Sequence, residues 1–534
     1  MSKSNQTGST EILRQGDIIG RYYEVLDILG KGGFGIVYLV FSHETKEIYA
    51  LKTFIQEHLL DVTVRQWFRK EAEVWVKLGR HPNIVTAYFV DEIDGRLYIA
   101  MEYIPPTRDG LNTLEGYLYQ EKLEIPMQLS LAVQACRGLK HAFASGLICH
   151  RDVKPANILV ANGRIAKVSD FGLAKMRSTS GPIMQERLNN NLQRSMGKTE
   201  TGALCGTPQY MAPEQFENPA NADELSDIYS FGVVLHQVAT GGRLPFPLPI
   251  FHSNAEEFPA DLFVHLYYLH REVPIPDVDS PLAPIVRMCL AKKPEGRYQS
   301  FTQLLGDLEQ LHFKMTRKAV SFKPSPEMRA GDWANKGNSL SRLGFYEQSL
   351  RCFEKAIEID RSNAWIWSDY GVCYARIKKF RDAIKSFNEA LTIDPNDAAA
   401  MANKALSLQE LGFTVEAMTY AEAACKADPK NAELWLMKAN FQIYSNNLEA
   451  AFESVEHSLG ISSDNARALA KKAIILFGLS MPREAIQSCQ EAVAIDPYNI
   501  EAWVCISECF LALGETEEAL RCQTKLNSIL RERK

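Results

Sequence analysis

Two short stretches in the first half of the sequence carry residue types suited to phosphate and metal chemistry. Asp152 and Asn157 lie in the stretch HRDVKPAN, and Asp170 opens a DFG triplet thirteen residues after Asn157. Carboxylate and amide oxygens are ligands that Mg²⁺ prefers, so Asn157 and Asp170 are candidate metal ligands. Asp152 can accept and orient the proton of a substrate hydroxyl. The pattern therefore predicts a site that holds a divalent cation beside a base.

A glycine-rich stretch, GKGGFGIV at 30–37, lies between two segments whose alternating apolar residues predict strands. Glycines let backbone N–H groups lie over phosphates without obstruction by side chains. A lone G-x-G-x-x-G also fits a dinucleotide fingerprint or a plain hairpin, but here a strand and not a helix follows it. Lys52 ends a third predicted strand fifteen residues after Val37, and its ammonium can reach phosphates as a point charge.

In this order and spacing, the motifs resemble those of the eukaryotic-type (Hanks-type) serine/threonine protein kinases. The resemblance spans roughly residues 22–312 and includes the triplets GTP at 206–208 and APE at 212–214. The stretch TETGALCGTPQYMAPEQF most resembles bacterial members of the family. Satisfied carboxylates of an ordinary core are the alternative for Asp152 and Asp170, and the joint spacing disfavours that alternative. The resemblance implies a bilobal α+β fold.

The family resemblance also assigns roles to the candidate residues. It implies ATP as the cosubstrate and Mg²⁺ as the metal, with Mn²⁺ as a substitute. Asp152 would be the catalytic base, Lys154 would approach the γ-phosphate, and Lys52 would bind the α- and β-phosphates. Asn157 and Asp170 would hold the metal. Lys154 after the catalytic aspartate is typical of the serine/threonine branch rather than the tyrosine branch.

Two glutamates of one predicted helix compete as the partner of Lys52. Glu71 is the better candidate, because Glu73 lies two residues further on and so faces elsewhere on the helix. Trp75, one turn after Glu71, departs from the Leu or Met that is usual in the family. A packed core aromatic is the simpler interpretation of that tryptophan.

The resemblance further implies a nucleotide site between the two lobes and a set of structural contacts. The nucleotide-binding residues would be Gly30, Lys31, Gly32, Gly33, Phe34, Gly35, Val37, Ala50, Lys52, Glu71, Met101, Glu102 and Ile104. Met101 would be the gatekeeper, and the hinge would begin at Glu102. The structural residues would be Arg151, Thr207, Glu214, Asp227 and Arg297. Of these, Glu214 and Arg297 would form an ion pair, and Asp227 would hold the backbone of the catalytic loop.

A long polar segment separates the DFG and APE motifs. From Asp170 to Glu214 it contains 45 residues, and from 178 to 204 it is rich in Ser, Thr, Asn and Gln. Such a composition predicts a segment that is mobile when unmodified. The resemblance implies autophosphorylation at Thr199 and Thr201, with Arg151 as the bidentate partner of the phosphate. A merely solvated polar loop is the alternative, since other hydroxyls are also available.

The second part of the sequence repeats itself every 34 residues. One register position holds Trp333, Trp367, Trp435 and Trp503, and another holds Ala383, Ala417, Ala451, Ala485 and Ala519. This register resembles the tetratricopeptide repeat and predicts an all-α, right-handed superhelix of about twelve helices. Its concave face would bind a protein or peptide segment. The predicted units are 330–363, 364–397, 398–431, 432–465, 466–499 and 500–533.

The composition of the 534 residues is that of an ordinary globular protein, with 46% hydrophobic and 23% charged residues and a net charge of −6. This balance excludes a collagen-like or wholly disordered chain and argues against a nucleic-acid partner. The 11 cysteines are scattered without a zinc-like double CxxC. No secretory signal or transmembrane segment is expected, and a cytoplasmic protein with reduced thiols is predicted. The predicted domains are a tail at 1–21, a kinase domain at 22–312, a linker at 313–329 and the repeats at 330–533.

Three functions remain open from the sequence. The first is an active serine/threonine protein kinase in signalling, whose repeats bind protein partners. The second is a pseudokinase scaffold, which the intact Lys52, Asp152, Asn157 and Asp170 disfavour. The third is a small-molecule kinase, which the peptide-platform motifs GTP and APE disfavour. The expected partners are protein substrates, a ligand of the repeats, and a second copy of the chain for trans-autophosphorylation.

Overall fold

Strands rich in apolar residues build the sheet of the N-terminal lobe in the computed structural model. Its strands are β1 (Ile18–Ile19), β2 (Tyr23–Lys31), β3 (Gly35–Ser42), β4 (Ile48–Phe54), β5 (Ala87–Ile93) and β6 (Arg96–Met101). They form one antiparallel six-stranded sheet in the order β1-β2-β3-β4-β6-β5. Along β3 buried and partly exposed residues alternate, so one face of the strand packs on the core and the other face is partly open.

The structure describes residues 12–20, 22–31, 35–55, 62–93, 95–120, 124–162, 164–171, 175–176, 207–247, 260–324 and 326–532. The chain divides into two units: the first comprises Met1–Glu327 together with Arg342–Gly344, and the second comprises Met328–Ser341 together with Phe345–Lys534. The predicted fold class, a bilobal α+β kinase fold followed by an all-α repeat array, is confirmed.

One helix accompanies the sheet, and further helices build the second lobe. The helices of the first unit are α1 (Val62–Leu78), α2 (Leu114–Tyr119), α3 (Ile125–Ala144), α4 (Pro213–Glu217), α5 (Glu224–Thr240), α6 (Ala260–Glu272), α7 (Ala283–Cys289) and α8 (Phe301–Thr316). Two small antiparallel pairs of strands lie among them, β7 (Leu147–Cys149) with β10 (Lys175–Met176) and β8 (Ile158–Ala161) with β9 (Ile165–Val168).

Helix α5 forms the centre of the second lobe, because nearly every residue from Ser226 to Val238 is buried. Its ends have clear sequence signals. The Asp223 carboxylate accepts hydrogen bonds from the backbone N–H groups of Leu225 and Ser226, which caps the first turn. Gly241 ends the helix at φ 68°, a left-handed conformation that suits glycine. The helix is thereby fixed in register, and this register sets the position of Asp227.

The second unit consists of paired helices that follow the 34-residue register. They are α9 (Ala330–Arg342), α10 (Tyr346–Ile359), α11 (Ala364–Arg376), α12 (Phe380–Ile393), α13 (Ala398–Glu410), α14 (Thr414–Ala427), α15 (Ala432–Tyr444), α16 (Leu448–Ile461), α17 (Ala466–Gly478), α18 (Pro482–Ile495), α19 (Ile500–Ala512) and α20 (Thr516–Glu532). Each predicted unit therefore contains two helices, and the small residues of the register lie buried between them.

The repeated tryptophans have a polar role besides packing. The indole N–H groups of Trp367, Trp435 and Trp503 donate to backbone carbonyls six residues earlier, at 3.1, 3.0 and 2.9 Å. Those carbonyls belong to the turns that join one helix pair to the next. In these three repeats the tryptophan therefore fixes the turn that precedes its own repeat.

The structure corrects the predicted tail at 1–21 and the predicted linker at 313–329. The end of the tail belongs to the sheet, because β1 pairs with β2 and Ile19 is buried. The short apolar pair Ile18–Ile19 gave no periodic signal in the sequence. Helix α8 continues to Thr316, where Arg317 ends it at φ 55°. Among the described residues no helix is long and apolar enough to cross a membrane.

Candidate active site

Lys52 lies at the centre of a charge cluster that joins the sheet, helix α1 and the DFG segment. Strand β4 places it opposite Val37 of β3 and Ile99 of β6. Its Nζ lies 2.5 Å from Glu71 Oε1 and 2.8 Å from Asp170 Oδ1. Burial alone would lower the pKa of Lys52, but the carboxylates of Asp170 and Glu71 outweigh it and hold that pKa above its ordinary value. The lysine is therefore a fixed cation.

Three aromatic side chains connect helix α1 to the catalytic loop. The Trp75 indole N–H donates to Glu71 Oε1 at 3.4 Å, and its ring meets Phe171 edge to face at 4.9 Å between centroids. Phe171 in turn packs against His150, at 4.6 Å between centroids. Phe171 and His150 are fully buried and Trp75 is nearly so. Glu71, the DFG segment and the HRD segment are thus held by one continuous cluster.

The catalytic-loop side chains form a second polar cluster. Lys154 Nζ lies 2.9 Å from Asp152 Oδ2 and donates to Thr207 Oγ1 at 2.8 Å. The Thr207 hydroxyl donates to Asp152 Oδ1 at 3.3 Å. The Asn157 amide donates to Asp152 Oδ2 at 2.8 Å and to its backbone carbonyl at 2.9 Å. The Asp152 carboxylate is thereby oriented from three sides.

A buried carboxylate fixes the backbone of this loop. Asp227 accepts the backbone N–H groups of His150 at 2.5 Å and Arg151 at 2.9 Å, and the Cys149 thiol at 3.5 Å. Arg151 has φ 70°, which is uncommon for a residue with a side chain and which these bonds hold in place. Burial raises the pKa of Asp227, against the hydrogen bonds that favour its charged form.

The sequence matches two family models. The protein kinase domain model matches residues 23–307, which is more than half of the chain, and a tetratricopeptide repeat model matches residues 330–396. The chain belongs to the protein kinase family. In the second unit, the match to the tetratricopeptide repeat covers the first four helices of the array.

Three curated relatives of this chain come from bacteria. Serine/threonine-protein kinase PknB of Mycobacterium tuberculosis is 34% identical over 302 residues, which are 54% of this chain and 43% of the relative. Probable serine/threonine-protein kinases of Corynebacterium efficiens and Clostridium perfringens are 32% and 29% identical, over 57% and 55% of this chain and 43% and 39% of their own length. The chain thus matches less than half of the length of each of these relatives.

A buried ion pair joins two segments of the kinase's helical lobe. Arg297 is 1% exposed and donates to both carboxylate oxygens of Glu214, at 2.7 and 2.9 Å. Its remaining donors reach the backbone carbonyls of residues 225, 291 and 292. Burial alone would raise the pKa of Glu214, but the bonds from Arg297 outweigh it and hold that pKa below its ordinary value. Every N–H donor of the buried guanidinium group thus has a hydrogen-bond acceptor.

Of the nucleotide-site residues proposed from the sequence, Val37 of β3 is partly exposed, whereas Ala50, Met101 and Ile104 are buried. Ala50 of β4 is opposite Met101 of β6. Gly30 and Lys31 end β2, and a Cβ on Gly35 would lie 3.1 Å from the carbonyl oxygen of Thr53. Gly32, Gly33 and Phe34 lie outside the described residues.

The Glu102 side chain bonds to other parts of the protein, which differs from the role of a direct nucleotide ligand. Its carboxylate lies 2.9 Å from Lys167 Nζ and accepts the backbone N–H of Thr86 at 3.1 Å. Contacts to a base would therefore be left to the backbone of Glu102 and to neighbours such as the buried Ile104. Lys167 was not predicted, because it lies 65 residues after its partner and no motif marks it.

The proposed metal ligands fit a hard cation that also binds phosphate. Ser169 donates to the Asn157 carbonyl through its backbone N–H at 2.9 Å and its hydroxyl at 3.0 Å, which joins Asn157 to the residue before Asp170. The Asp170 side chain is 47% exposed, at a left-handed φ of 56°. The described residues contain no group of three or more His, Cys, Asp or Glu side chains that could hold a metal ion. A Mg²⁺ ion at Asn157 and Asp170 would therefore complete its shell with phosphate and water oxygens.

Proposed function

We propose that this chain is an ATP-dependent protein kinase that transfers the γ-phosphate to serine and threonine hydroxyls of proteins. The observation that supports this best is the pair of adjoining clusters, Lys52 with Glu71 and Asp170, and Asp152 with Lys154 and Thr207. One cluster offers a fixed cation and a metal ligand, and the other offers a base beside a second cation. Transfer of a phosphoryl group requires these elements.

Each side chain has a part in the proposed reaction. ATP and Mg²⁺, when bound, supply the transferable phosphoryl group and a divalent charge; Mn²⁺ is a substitute. Lys52, held by Glu71, binds the α- and β-phosphates. Asp152 accepts and orients the proton of the substrate hydroxyl, while Lys154 neutralises charge that develops on the γ-phosphate. Thr207 links this pair to the segment on which a peptide substrate would lie.

Regulation through the activation segment is also part of the proposal. Thr199 and Thr201 lie outside the described residues, but their proposed partner Arg151 is described. Its Nη2 donates to the Pro219 carbonyl at 3.3 Å, while its buried Nε has no hydrogen-bond partner in the described part of the chain. A guanidinium group with an unused donor beside the catalytic base suits a phosphate. Phosphate on either threonine would then connect the activation segment to the catalytic loop.

The repeat unit is proposed to bind a protein or peptide segment on its concave face, so that the kinase acts in signalling. Stacked helix pairs present an extended inner surface, which is the usual binding surface of such arrays. A cytoplasmic location, protein substrates and self-association for trans-autophosphorylation complete the proposal.

The test uses the purified full chain with ATP, Mg²⁺ and a generic protein substrate. Asp152→Asn and Asp170→Asn should each lower the rate by on the order of 10²–10³, because each removes one preorganised charge. Asp277→Asn is the matched control, since that carboxylate is 94% exposed on the surface. Acid hydrolysis of the product should yield phosphoserine and phosphothreonine. Wild-type turnover in both folded variants, or phosphate on a small molecule and on no protein, would refute the proposal.

Three of these four proteins test the activation segment by mass spectrometry. Phosphate is expected on Thr199 or Thr201 in the wild type and in Asp277→Asn, and on neither residue in Asp152→Asn. Phosphate at equal levels in the inactive variant would show another kinase as its source. Complete absence from the active protein would remove these threonines from the proposal.

A further inference from the structure

Residues 318–322, here called the strap, lie in the segment that the sequence predicts as a linker, yet they are bound to the kinase unit. Arg137 of helix α3 donates to the strap's backbone carbonyls, at 3.2–3.3 Å to Val320 and 3.2 Å to Ser321. Glu309 of helix α8 fixes the same guanidinium group at 2.6 and 2.9 Å. The Val320 side chain is 7% exposed. The strap is therefore a docked part of this unit.

The end of the strap covers a contact that anchors helix α1. The Phe322 ring lies 5.9 Å from the His81 ring, and His81 stacks on His141 at 4.5 Å between centroids. His141 Nε2 lies 3.0 Å from the carbonyl oxygen of Leu78, the last residue of α1. A carbonyl can only accept, so this nitrogen carries the proton. A helix leaves its last carbonyls without partners within the helix, and here a histidine of α3 serves one of them.

His81 is held in its neutral form at this contact. Its Nδ1 accepts the backbone N–H of Asn83 at 3.2 Å, which requires an unprotonated nitrogen. Burial, together with electrostatic repulsion from His141, Lys167 and Arg137, lowers the pKa of His81 to about 4. The neutral ring can stack on His141 and also contact Phe322. The Arg137 guanidinium also lies over the Phe322 ring, 5.6 Å from its centroid. The single side chain of Phe322 thus contacts both His81 and Arg137.

We propose that the strap positions helix α1, and that Phe322 and Arg137 are positioning residues for the kinase reaction. Helix α1 carries Glu71. The position of the C-terminal end of α1 therefore affects the fraction of molecules in which Glu71 is paired with Lys52. Contacts that restrict the motion of residues 78–81 therefore favour the state in which Lys52 and Glu71 are paired. The strap would act in this way without contacting the nucleotide or the substrate. The proposal rests on the proposed kinase activity, but it also makes a prediction about the motion of α1 that needs no activity.

Two phenylalanines provide a matched test in the full chain. Phe322 and Phe313 are 50% and 51% exposed, but Phe313 has no ring contact among the described residues. Phe322→Ala should lower kcat/KM for ATP by about 3- to 10-fold, a size typical of residues that act through a packed network. It should also speed amide hydrogen exchange at the C-terminal end of α1 and in residues 79–86. Phe313→Ala should change neither quantity.

Further measurements separate positioning from loss of the fold. Arg137→Lys keeps the charge but loses the forked donors, so it should reproduce the exchange pattern of Phe322→Ala. Phe322→Tyr keeps the ring and should restore both readouts. The proposal fails if Phe322→Ala and Phe313→Ala behave alike, or if exchange rises evenly over the whole kinase unit. If the wild type phosphorylates no protein, the proposed function fails while the exchange experiment still decides the role of the strap.

Discussion

Burial and charge act together on the residues of the site. Glu71 is 6% exposed, and an isolated carboxylate would resist such burial strongly. The burial of this carboxylate is tolerated because Lys52 and Trp75 both donate hydrogen bonds to the same oxygen, Oε1. Lys52 satisfies a second carboxylate, Asp170, on its other side. Removing any one of these groups would leave a buried charge with too few partners, which explains why the cluster must be complete.

The N–H of Trp75 should matter apart from its ring. Trp75→Phe keeps an aromatic ring beside Phe171 but removes the hydrogen bond to Glu71. Because that bond is long at 3.4 Å, we expect a loss near 1 kcal/mol, or about a fivefold rise in KM for ATP. Steady-state kinetics at saturating protein substrate would measure it.

Trp435→Phe is the control for this change, because it removes an indole N–H bond in the repeat unit instead. Its KM for ATP should equal that of the wild type. An equal KM in Trp75→Phe would show that the ring alone is needed. A fall in melting temperature without a change in KM would assign Trp75 to stability.

The sequence indicates which residues meet in the site better than it indicates how they bond. Motif order and helix period favour Glu71 over Glu73 as the partner of Lys52, and the structure pairs Glu73 with Lys77 instead. The bond from Trp75 depends on a rotamer that only the packed lobe selects, so the sequence suggested no more than a core aromatic. The engagement of Glu102 by Lys167 likewise needs the folded sheet.

At the scale of elements, the repeat unit depends on small residues where paired helices cross. A Cβ on Gly371 would lie 2.5 Å from the ring of Phe387, and one on Gly337 would lie 3.0 Å from that of Phe353. Both glycines sit in helix interiors, where glycine normally weakens a helix. The gain from bringing the helices close evidently exceeds that cost, because an aromatic ring fills the space over each glycine.

Gly371→Ala should therefore destabilise the repeat unit. Overpacking of this kind costs about 1–3 kcal/mol, since the Phe387 ring is buried and cannot leave its place. The matched control is Gly460→Ala in helix α16, where an added Cβ would meet nothing within 4 Å. The control should be neutral or should stabilise by about 0.5–1 kcal/mol. Urea unfolding of the two variants, followed by far-ultraviolet circular dichroism, would compare them, and an unaltered Gly371→Ala would contradict the crossing geometry.

Periodic elements were predictable, whereas elements without a pattern were not. The 34-residue register fixed six helix pairs, because each pair needs the same apolar and small residues to stack. The strap and strand β1 are too short to show a period, and they are held by contacts with other segments, such as the hydrogen bonds from Arg137 and the pairing with β2. Their positions depend on surfaces formed by distant parts of the chain, so local sequence could not indicate them.

At the scale of the whole molecule, each unit buries a core of its own. The sheet of the kinase unit packs around residues such as Val25, Val40 and Leu51, all fully buried. The repeat unit has separate clusters, one of them around Phe353 and another around Cys489. Folding of either unit therefore has its own source of hydrophobic stabilisation, which is the requirement for an independent domain.

A chain that ends at Glu327 should therefore fold and retain the proposed activity, because it keeps the whole kinase core and the strap. Its kcat/KM on a generic protein substrate should stay within about twofold of the full chain, a difference below 0.5 kcal/mol. A chain that ends at Thr316 keeps every helix of the kinase unit but loses the strap. It should show the same reduced kcat/KM for ATP that is expected of Phe322→Ala. The two truncations differ by eleven residues that contain no catalytic motif. Equal activity in both would remove any catalytic role from the strap, whereas loss of activity in both would show that catalysis needs the repeat unit.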